Sequence, residues 1–268
     1  MGSDIHFATP AWEKALHEAG LGTASALLDF EGGETAARSR STSVVRLVLP
    51  DGAALYLKRY RYACLRDRVR AAFRGTLVGR NRAAREFENL RRLGAAGLDA
   101  PAPVAWGARR GPCFLSACFL LTREIENAVR MDALLTTSAS LPGGRRRKLL
   151  DATGRAVSAM HGAGYTDGSL ALRNLLAREE GGGWRLFKVD CGKGRWRVPP
   201  GRRALEDLAR FDAGARGLLT SRERLRILRA YLGGRLLAPA RRWTEGVARA
   251  REKYAVWEEP RLGEAAER

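Results

Sequence analysis

The pattern of apolar and polar positions divides the chain into a strand-rich first half and a helical second half. Two runs, "VVRLVL" (44–49) and "ALYLKRY" (54–60), flank Pro50-Asp51-Gly52. Pro-Asp-Gly between apolar runs is a turn signal, so a β-hairpin is expected, with Lys58 near the end of its second strand. Upstream, the first 25 residues read as a short helix: Thr9 caps it, Pro10 suits its first turn, and Trp12 and Leu16 give it one apolar face. The next segment, "ASALLDFEGG" (24–33), reads as strand-like. Further on, "NRAAREFENLRRLGAAG" (81–97) is a helix ended by glycines, with Ala83, Glu86, Leu90 and Leu93 on one face and Glu88 on the more polar side. A carboxylate on a core-facing stripe requires a partner. Residues 99–128 read as a proline-marked link and two strands, the second emerging into a connector near 122–127.

Beyond residue 127 the pattern is mainly helical. "RRRKLLDATGRAVSAMHGAG" (145–164), "GRRALEDLARFDAGARG" (201–217) and "TSRERLRILRAYLGG" (220–234) are helices, and the last opens on a capping box of Thr220 and Glu223. No internal repeat is present. The expected organisation is α+β: an N-terminal helical extension over 1–24, a β-rich lobe over 25–125, a helical lobe over 126–255 and a frayed tail over 256–268. A cleft at the connector is a common place for a ligand.

Composition narrows the function classes. No run of about 18 apolar residues appears, and "MGSDIHFATPAWEKAL" has no basic region followed by an apolar one, so a cytoplasmic protein is expected. The four cysteines form no CxxC pair and only three histidines occur, which argues against a zinc site. The charge is the outlying property: 48 Lys+Arg against 29 Asp+Glu, a net +19. A GC-rich genome explains arginine in place of lysine, but not the sign. Such a field favours polyanions such as nucleotides, nucleic acid, anionic lipid or a phosphorylated glycolipid. No zinc-finger spacing, aromatic RNA-binding element or basic heptad region is present, so no specific nucleic-acid partner is expected. Residues 61–80 read as a basic amphipathic segment or a mobile insertion, and the basic segment 59–82 with Arg145–Arg147 suits either the anionic inner leaflet or a solvated basic face with no specific partner. Trp184, Trp196, Trp243 and Trp257 suit either an interface or buried packing.

Phosphoryl transfer needs a strand lysine for the nucleotide phosphates, a helix carboxylate to hold it, side chains for magnesium, and a carboxylate that positions the acceptor hydroxyl. Lys58 and Glu86 have the first two roles. The kinase pattern H-x-x-G-x-x-H-R-D-L-x-x-x-N-L-L lies without gaps over His161, Gly164, Asp167-Gly168-Ser169, Leu170, Asn174, Leu175 and Leu176. "RLFKVDCGKG" then runs as a strand into Asp190-Cys191-Gly192, resembling the magnesium-binding Asp-Phe-Gly. Asn174 and Asp190 are thus the metal pair.

These motifs resemble the lipopolysaccharide kinase family (Kdo/WaaP type), relatives of protein kinases that phosphorylate the inner-core sugars of lipid A. The resemblance runs over roughly residues 25–235 and includes "RSTSVVRLVLPDGAALYLKRY", "AAREFENLRRLGAAGLDAPAPVAWG", "FLLTREIENA" and "LTSRERLRILRAYLG". It implies a two-lobed protein-kinase-like fold, ATP and Mg²⁺ as cofactors, a lipid A core sugar as acceptor, and work at the cytoplasmic face of the inner membrane, as a monomer.

Two departures stand out. The N-terminal hairpin has no G-x-G-x-x-G loop, and Gly32-Gly33 is its nearest feature. The base position holds Ser169 in place of aspartate, and a serine hydroxyl does not accept a proton at neutral pH as a carboxylate does. Three readings follow. Asp167 swings in through Gly168 and positions the acceptor; the protein is a pseudokinase that binds nucleotide or anionic glycolipid without efficient catalysis; or Asp167 is a structural anchor. A small-molecule kinase of the same broad fold and a basic nucleic-acid-binding protein are the remaining alternatives.

Overall fold

The computed structural model describes residues 3–39, 41–62, 81–110, 115–137, 141–198, 202–233, 245 and 247. The basic insertion (63–80), Cys64, Cys113, Trp243, Trp257 and the tail lie outside them. Two compact units are present, residues 1–126 and 127–268.

The first unit is built on a six-stranded antiparallel sheet in the order β1-β5-β6-β4-β3-β2. Its strands are β1 (Ser3–Phe7), β2 (Glu34–Arg38), β3 (Thr42–Val48), β4 (Ala54–Arg61), β5 (Pro103–Arg110) and β6 (Leu115–Arg123). The expected hairpin is β3–β4, with Val45 opposite Leu57 and Val44 opposite Lys58. Successive side chains of a strand point to opposite faces, and β4 uses both. Leu55 and Leu57 enter a core of Leu16, Leu27, Leu28, Leu47, Phe119 and Leu121. Tyr56, Lys58 and Tyr60 point the other way, and Lys58 and Tyr60 meet helix α3 (Arg82–Ala95).

Two N-terminal segments differ from expectation. The expected helix, capped by Thr9 with Pro10 in its first turn, is present, but it is not an appended extension: β1 before it pairs with β5 at the sheet edge. Helix α1 (Pro10–Glu18) also places Leu16 fully in the core. The segment read as a strand from residue 24 is helix α2 (Ala24–Leu28), whose Thr23 hydroxyl accepts the Ala26 N–H at 3.1 Å. Ala24, Leu27 and Leu28 are buried at helical spacing, and the cap adds to the helix-favouring Ala and Leu residues. Gly33 is no nucleotide loop. It sits at φ +85 where a Cβ would stand 2.4 Å from the Arg46 carbonyl, so it fits β2 closely against β3.

The second unit carries more strand than its pattern suggested. A three-stranded sheet joins β7 (Val129–Arg130), β9 (Leu175–Glu180) and β10 (Gly183–Lys188), and β8 (Tyr165–Thr166) pairs with β11 (Arg195–Trp196). The hairpin signal was available: Gly181-Gly182, both at positive φ, turn β9 into β10. The helices are α4 (Met131–Thr137), α5 (Gly143–Gly162), α6 (Arg202–Ala215) and α7 (Ser221–Tyr231). The expected capping box at Thr220 and Glu223 opens α7.

Helices α5 and α7 run parallel, since Arg146 meets Glu223, Asp151 meets Arg226 and His161 meets Tyr231 in the same order. Glu223 is held below its ordinary 4.5 by the hydrogen bond from Arg146. A depressed carboxyl contributes stability that is present above its ordinary pKa and is lost as pH falls through the lowered value. The urea midpoint is therefore expected to drop below about pH 4.5, with Glu223→Gln removing up to about 1 kcal/mol of that dependence, because the pair is partly solvated. An unchanged acid limb in Glu223→Gln would show that the pair contributes nothing.

Candidate active site

Each unit presents one constellation. In the first, Lys58 on β4 meets Glu86 on α3, its Nζ 3.0 Å from Oε1 and 3.2 Å from Oε2. The α3 start is set by Asn81, whose side chain accepts the Ala84 N–H at 2.9 Å. Glu86 is almost fully buried, and the Tyr60 hydroxyl donates to its Oε2. The Lys58 side chain keeps 19% of its surface exposed. Such an arrangement holds an ammonium against a buried carboxylate that a phenol also binds, with part of the lysine side chain reached by solvent. Nearby Cys118 is pushed up to about 11 by burial, which marks it as an inert neutral thiol.

The second constellation starts where α5 ends. The chain turns through β8, crosses Asp167-Gly168-Ser169, forms a 3₁₀ turn over Leu172–Asn174 and enters β9. The loop is held from below by Asp207 of α6. Its carboxylate accepts the backbone N–H of Asp167 at 2.6 Å and of Gly168 at 2.7 Å, and lies 3.4 Å from His161 Nε2. His161 Nδ1 in turn is 3.0 Å from the Tyr231 hydroxyl. That hydroxyl is pushed up to about 12 by burial and by the charge of Asp207.

Asp167 does not swing free. Its carboxylate is buried against Lys188, Oδ1 to Nζ 3.1 Å, and takes the Tyr165 hydroxyl at 3.3 Å. The left-handed turn at Gly168 (φ +70) serves to aim the amide at Asp207. The Ser169 hydroxyl, in the more exposed position, donates to Asp167 Oδ2 at 3.4 Å. Burial pushes the Asp167 carboxyl up, and the negative charges of Asp207 and Asp190 add to this while Lys188 opposes it. Burial alone would push Lys188 down, but the charges around it, Asp167 foremost, outweigh that and hold its ammonium protonated. A single ammonium stands among several carboxylates, which raises Lys188 against burial and adds to what burial does at Asp167.

The third part of this constellation joins Asn174 and Asp190. The Val189 N–H donates to the Asn174 carbonyl at 3.0 Å, which sets the start of the Asp-Cys-Gly segment beside the loop. Asn174 Nδ2 is spent on the Ser169 carbonyl at 3.1 Å, which leaves its Oδ1 as an oxygen donor. Asp190 sits at φ 58, a left-handed conformation that costs a non-glycine residue of order 1 kcal/mol or more and collects at functional positions. Among the described residues no group of three or more His, Cys, Asp or Glu could hold a metal ion. One carboxylate and one amide oxygen fit Mg²⁺, which keeps several waters and takes phosphate oxygens.

Asp207, Lys188 and Tyr165 were not singled out from the sequence. The signal for Asp207 was present: it shares an apolar helix face with Ala204, Leu208 and Phe211, all buried. Lys188 was marked by its place in the buried run Leu186-Phe187-Lys188.

Residues 26–231 match the family model of the Lipopolysaccharide kinase (Kdo/WaaP) family. The chain belongs to this family. It is 32% identical over 127 residues to a 3-deoxy-D-manno-octulosonic acid kinase of Haemophilus influenzae (strain 86-028NP), covering 45% of this chain and 50% of that protein. It is 29% identical over 157 residues to the lipopolysaccharide core heptose(I) kinase WaaP of Pseudomonas aeruginosa, covering 56% of this chain and 59% of that one. The chain thus spans 50–59% of the length of these curated relatives. A solved structure of WaaP in complex with acyl carrier protein superposes with a TM-score of 0.67 at 22% identity, over 94% of this chain and 98% of that one. The fold of this Kdo/WaaP-family chain is therefore the α+β, protein-kinase-like one. Among its described residues no helix is long and apolar enough to cross a membrane.

Proposed function

We propose that this chain is an ATP- and Mg²⁺-dependent kinase that transfers the γ-phosphate to a sugar hydroxyl, Kdo or heptose, of the lipopolysaccharide core, in the cytoplasm at the inner leaflet. The observation that carries the reading is the buried catalytic loop: a backbone clamped by Asp207, with Asn174 beside a strained Asp190. Lys58, fixed by Glu86, would hold nucleotide phosphate, and Asn174 and Asp190 would hold Mg²⁺. The bound nucleotide supplies the transferred phosphoryl group and the ion neutralises its charge.

Ser169 and Asp167 together take the acceptor-positioning role that the family assigns to one aspartate. The acceptor hydroxyl gives its proton to Ser169 Oγ while the Ser169 proton moves to Asp167 Oδ2, along the hydrogen bond already formed. A raised carboxyl pKa favours that transfer, and a loose transition state asks for orientation before deprotonation. The serine at the base position keeps a second reading alive, a pseudokinase that binds nucleotide or anionic glycolipid.

Phosphoryl transfer to Kdo- and heptose-bearing core oligosaccharide separates the two. Ser169→Ala and Asp167→Asn are each expected to lower kcat about 10²-fold or more with KM for ATP unchanged. Ser169→Asp is expected to retain turnover, and wild-type turnover should rise with pH through a value above the ordinary aspartate 3.8. Magnesium-dependent ATP binding without transfer to either sugar would establish the pseudokinase. Full kcat in Ser169→Ala would remove the relay and leave the kinase.

A further inference from the structure

The parallel pair α5 and α7 encloses a second candidate site, in which none of the loop residues above takes part. The helices touch at Gly154, where a Cβ would stand 2.3 Å from the Ile227 carbonyl. Along them opens a cavity of about 990 Å³, lined by Arg146, Arg147 and Arg155 from α5 and Arg222, Arg226 and Arg229 from α7. Among the described residues two carboxylates line it. Glu223 is committed to Arg146, and Asp151 to Arg226 at 2.7 Å. Among the described residues the remaining four arginines, Arg147, Arg155, Arg222 and Arg229, have no carboxylate partner, and Arg226 Nε is buried without a hydrogen bond.

An arginine-rich surface is ordinary in a chain of net +19, but the distribution here is not uniform. Basic side chains on the same helices that point away from the cavity are partnered: Arg145 with Glu179, Lys148 with the Gly182 carbonyl at 2.9 Å, and Arg224 with Asp212 at 2.9 Å. Of the six that face it, Arg146 and Arg226 are paired with Glu223 and Asp151, and among the described residues Arg147, Arg155, Arg222 and Arg229 have no carboxylate partner. Leu150 and the half-exposed Leu225 add an apolar strip to the lining. Guanidinium forks match phosphate oxygens in pairs, and a cavity of this size takes a ligand of several phosphate or sugar-sized groups.

We infer that the α5–α7 cavity is a phosphate-binding site for a phosphorylated amphiphile or a free polyphosphate, separate from the nucleotide constellation. The inference stands whether or not the chain transfers phosphate. Its test uses the full chain, a triple variant Arg147→Ala/Arg155→Ala/Arg229→Ala, and Lys58→Ala to silence the nucleotide site. Inorganic tripolyphosphate is titrated calorimetrically, and sedimentation is measured with phosphatidylcholine vesicles with and without phosphatidylglycerol. Tripolyphosphate binding that persists in Lys58→Ala and weakens at least about tenfold in the triple variant supports a free-phosphate ligand. Sedimentation with the anionic vesicles that the triple variant loses supports a lipid headgroup. Unchanged affinity and unchanged sedimentation in a triple variant that melts as wild type does would overturn the assignment.

Discussion

Asp190→Asn is expected to melt like the wild type without ligand and to lose the Mg²⁺-dependent part of its stabilisation by ATP. Asparagine tolerates the left-handed φ of 58 that residue 190 adopts, so the backbone beside Asn174 keeps its course while the charge is lost. For the wild type, ligand at about a hundred times its Kd adds about 2.7 kcal/mol, which for a chain of this size is a rise of roughly 5–8 °C in Tm. The variant keeps only the rise seen with ATP alone, held by Lys58. Asp190→Ala gives the same ligand response from a lower starting Tm, because alanine fits φ 58 less well than aspartate. Thermal denaturation with ATP, with and without Mg²⁺, reads both. A Mg²⁺-dependent rise that survives Asp190→Asn at full size would place the metal elsewhere.

Lys188→Met is expected to cost about 3–5 kcal/mol, because it leaves the Asp167 carboxylate buried with no cation beside it. Methionine fills a similar volume, so the loss reports charge and not a cavity. Adding Asp167→Leu to Lys188→Met is expected to return most of the stability, since a buried ion pair replaced whole by apolar side chains is close to neutral. Urea midpoints of the two single variants and the double close a thermodynamic cycle, and contacting residues show coupling of 0.5–3 kcal/mol or more in such cycles. Additive effects would mean that Lys188 and Asp167 do not interact, against their 3.1 Å separation.

The fold was legible where sequence signals agreed. Pro50-Asp51-Gly52 between apolar runs gave β3–β4, Thr220 with Glu223 gave the start of α7, and the spacing of Glu86 with Leu90 and Leu93 put a carboxylate on the buried face of α3 opposite Lys58. Residues 24–28 were misread because five residues are too few to show a helical period and the Thr23 cap was not weighed. Strand β1 was missed because a short edge strand draws its stability from its partner β5, about a hundred positions away, and not from its own pattern. The second constellation was legible in outline for the same reason that it was incomplete. A motif fixes which residues share a loop, but not what holds the loop. Asp207 lies 40 positions after Asp167, and Lys188 gives no sign in the sequence that it reaches back to it.

The two oxygens of Asp207 have a consequence for how the protein comes into being. They hold the amides of residues 167 and 168, so the loop takes its backbone shape from a helix that begins only at residue 202. During synthesis, at roughly 5–20 residues per second, the chain has exposed Asp167, Ser169 and Asn174 for seconds before α6 leaves the ribosome. In that interval β9 and β10 can pair, but nothing clamps the turn between β8 and the 3₁₀ segment. The loop therefore takes its shape late, when α6 docks, and a growing chain that stalls before residue 207 carries every residue of the motif without the clamp that shapes it.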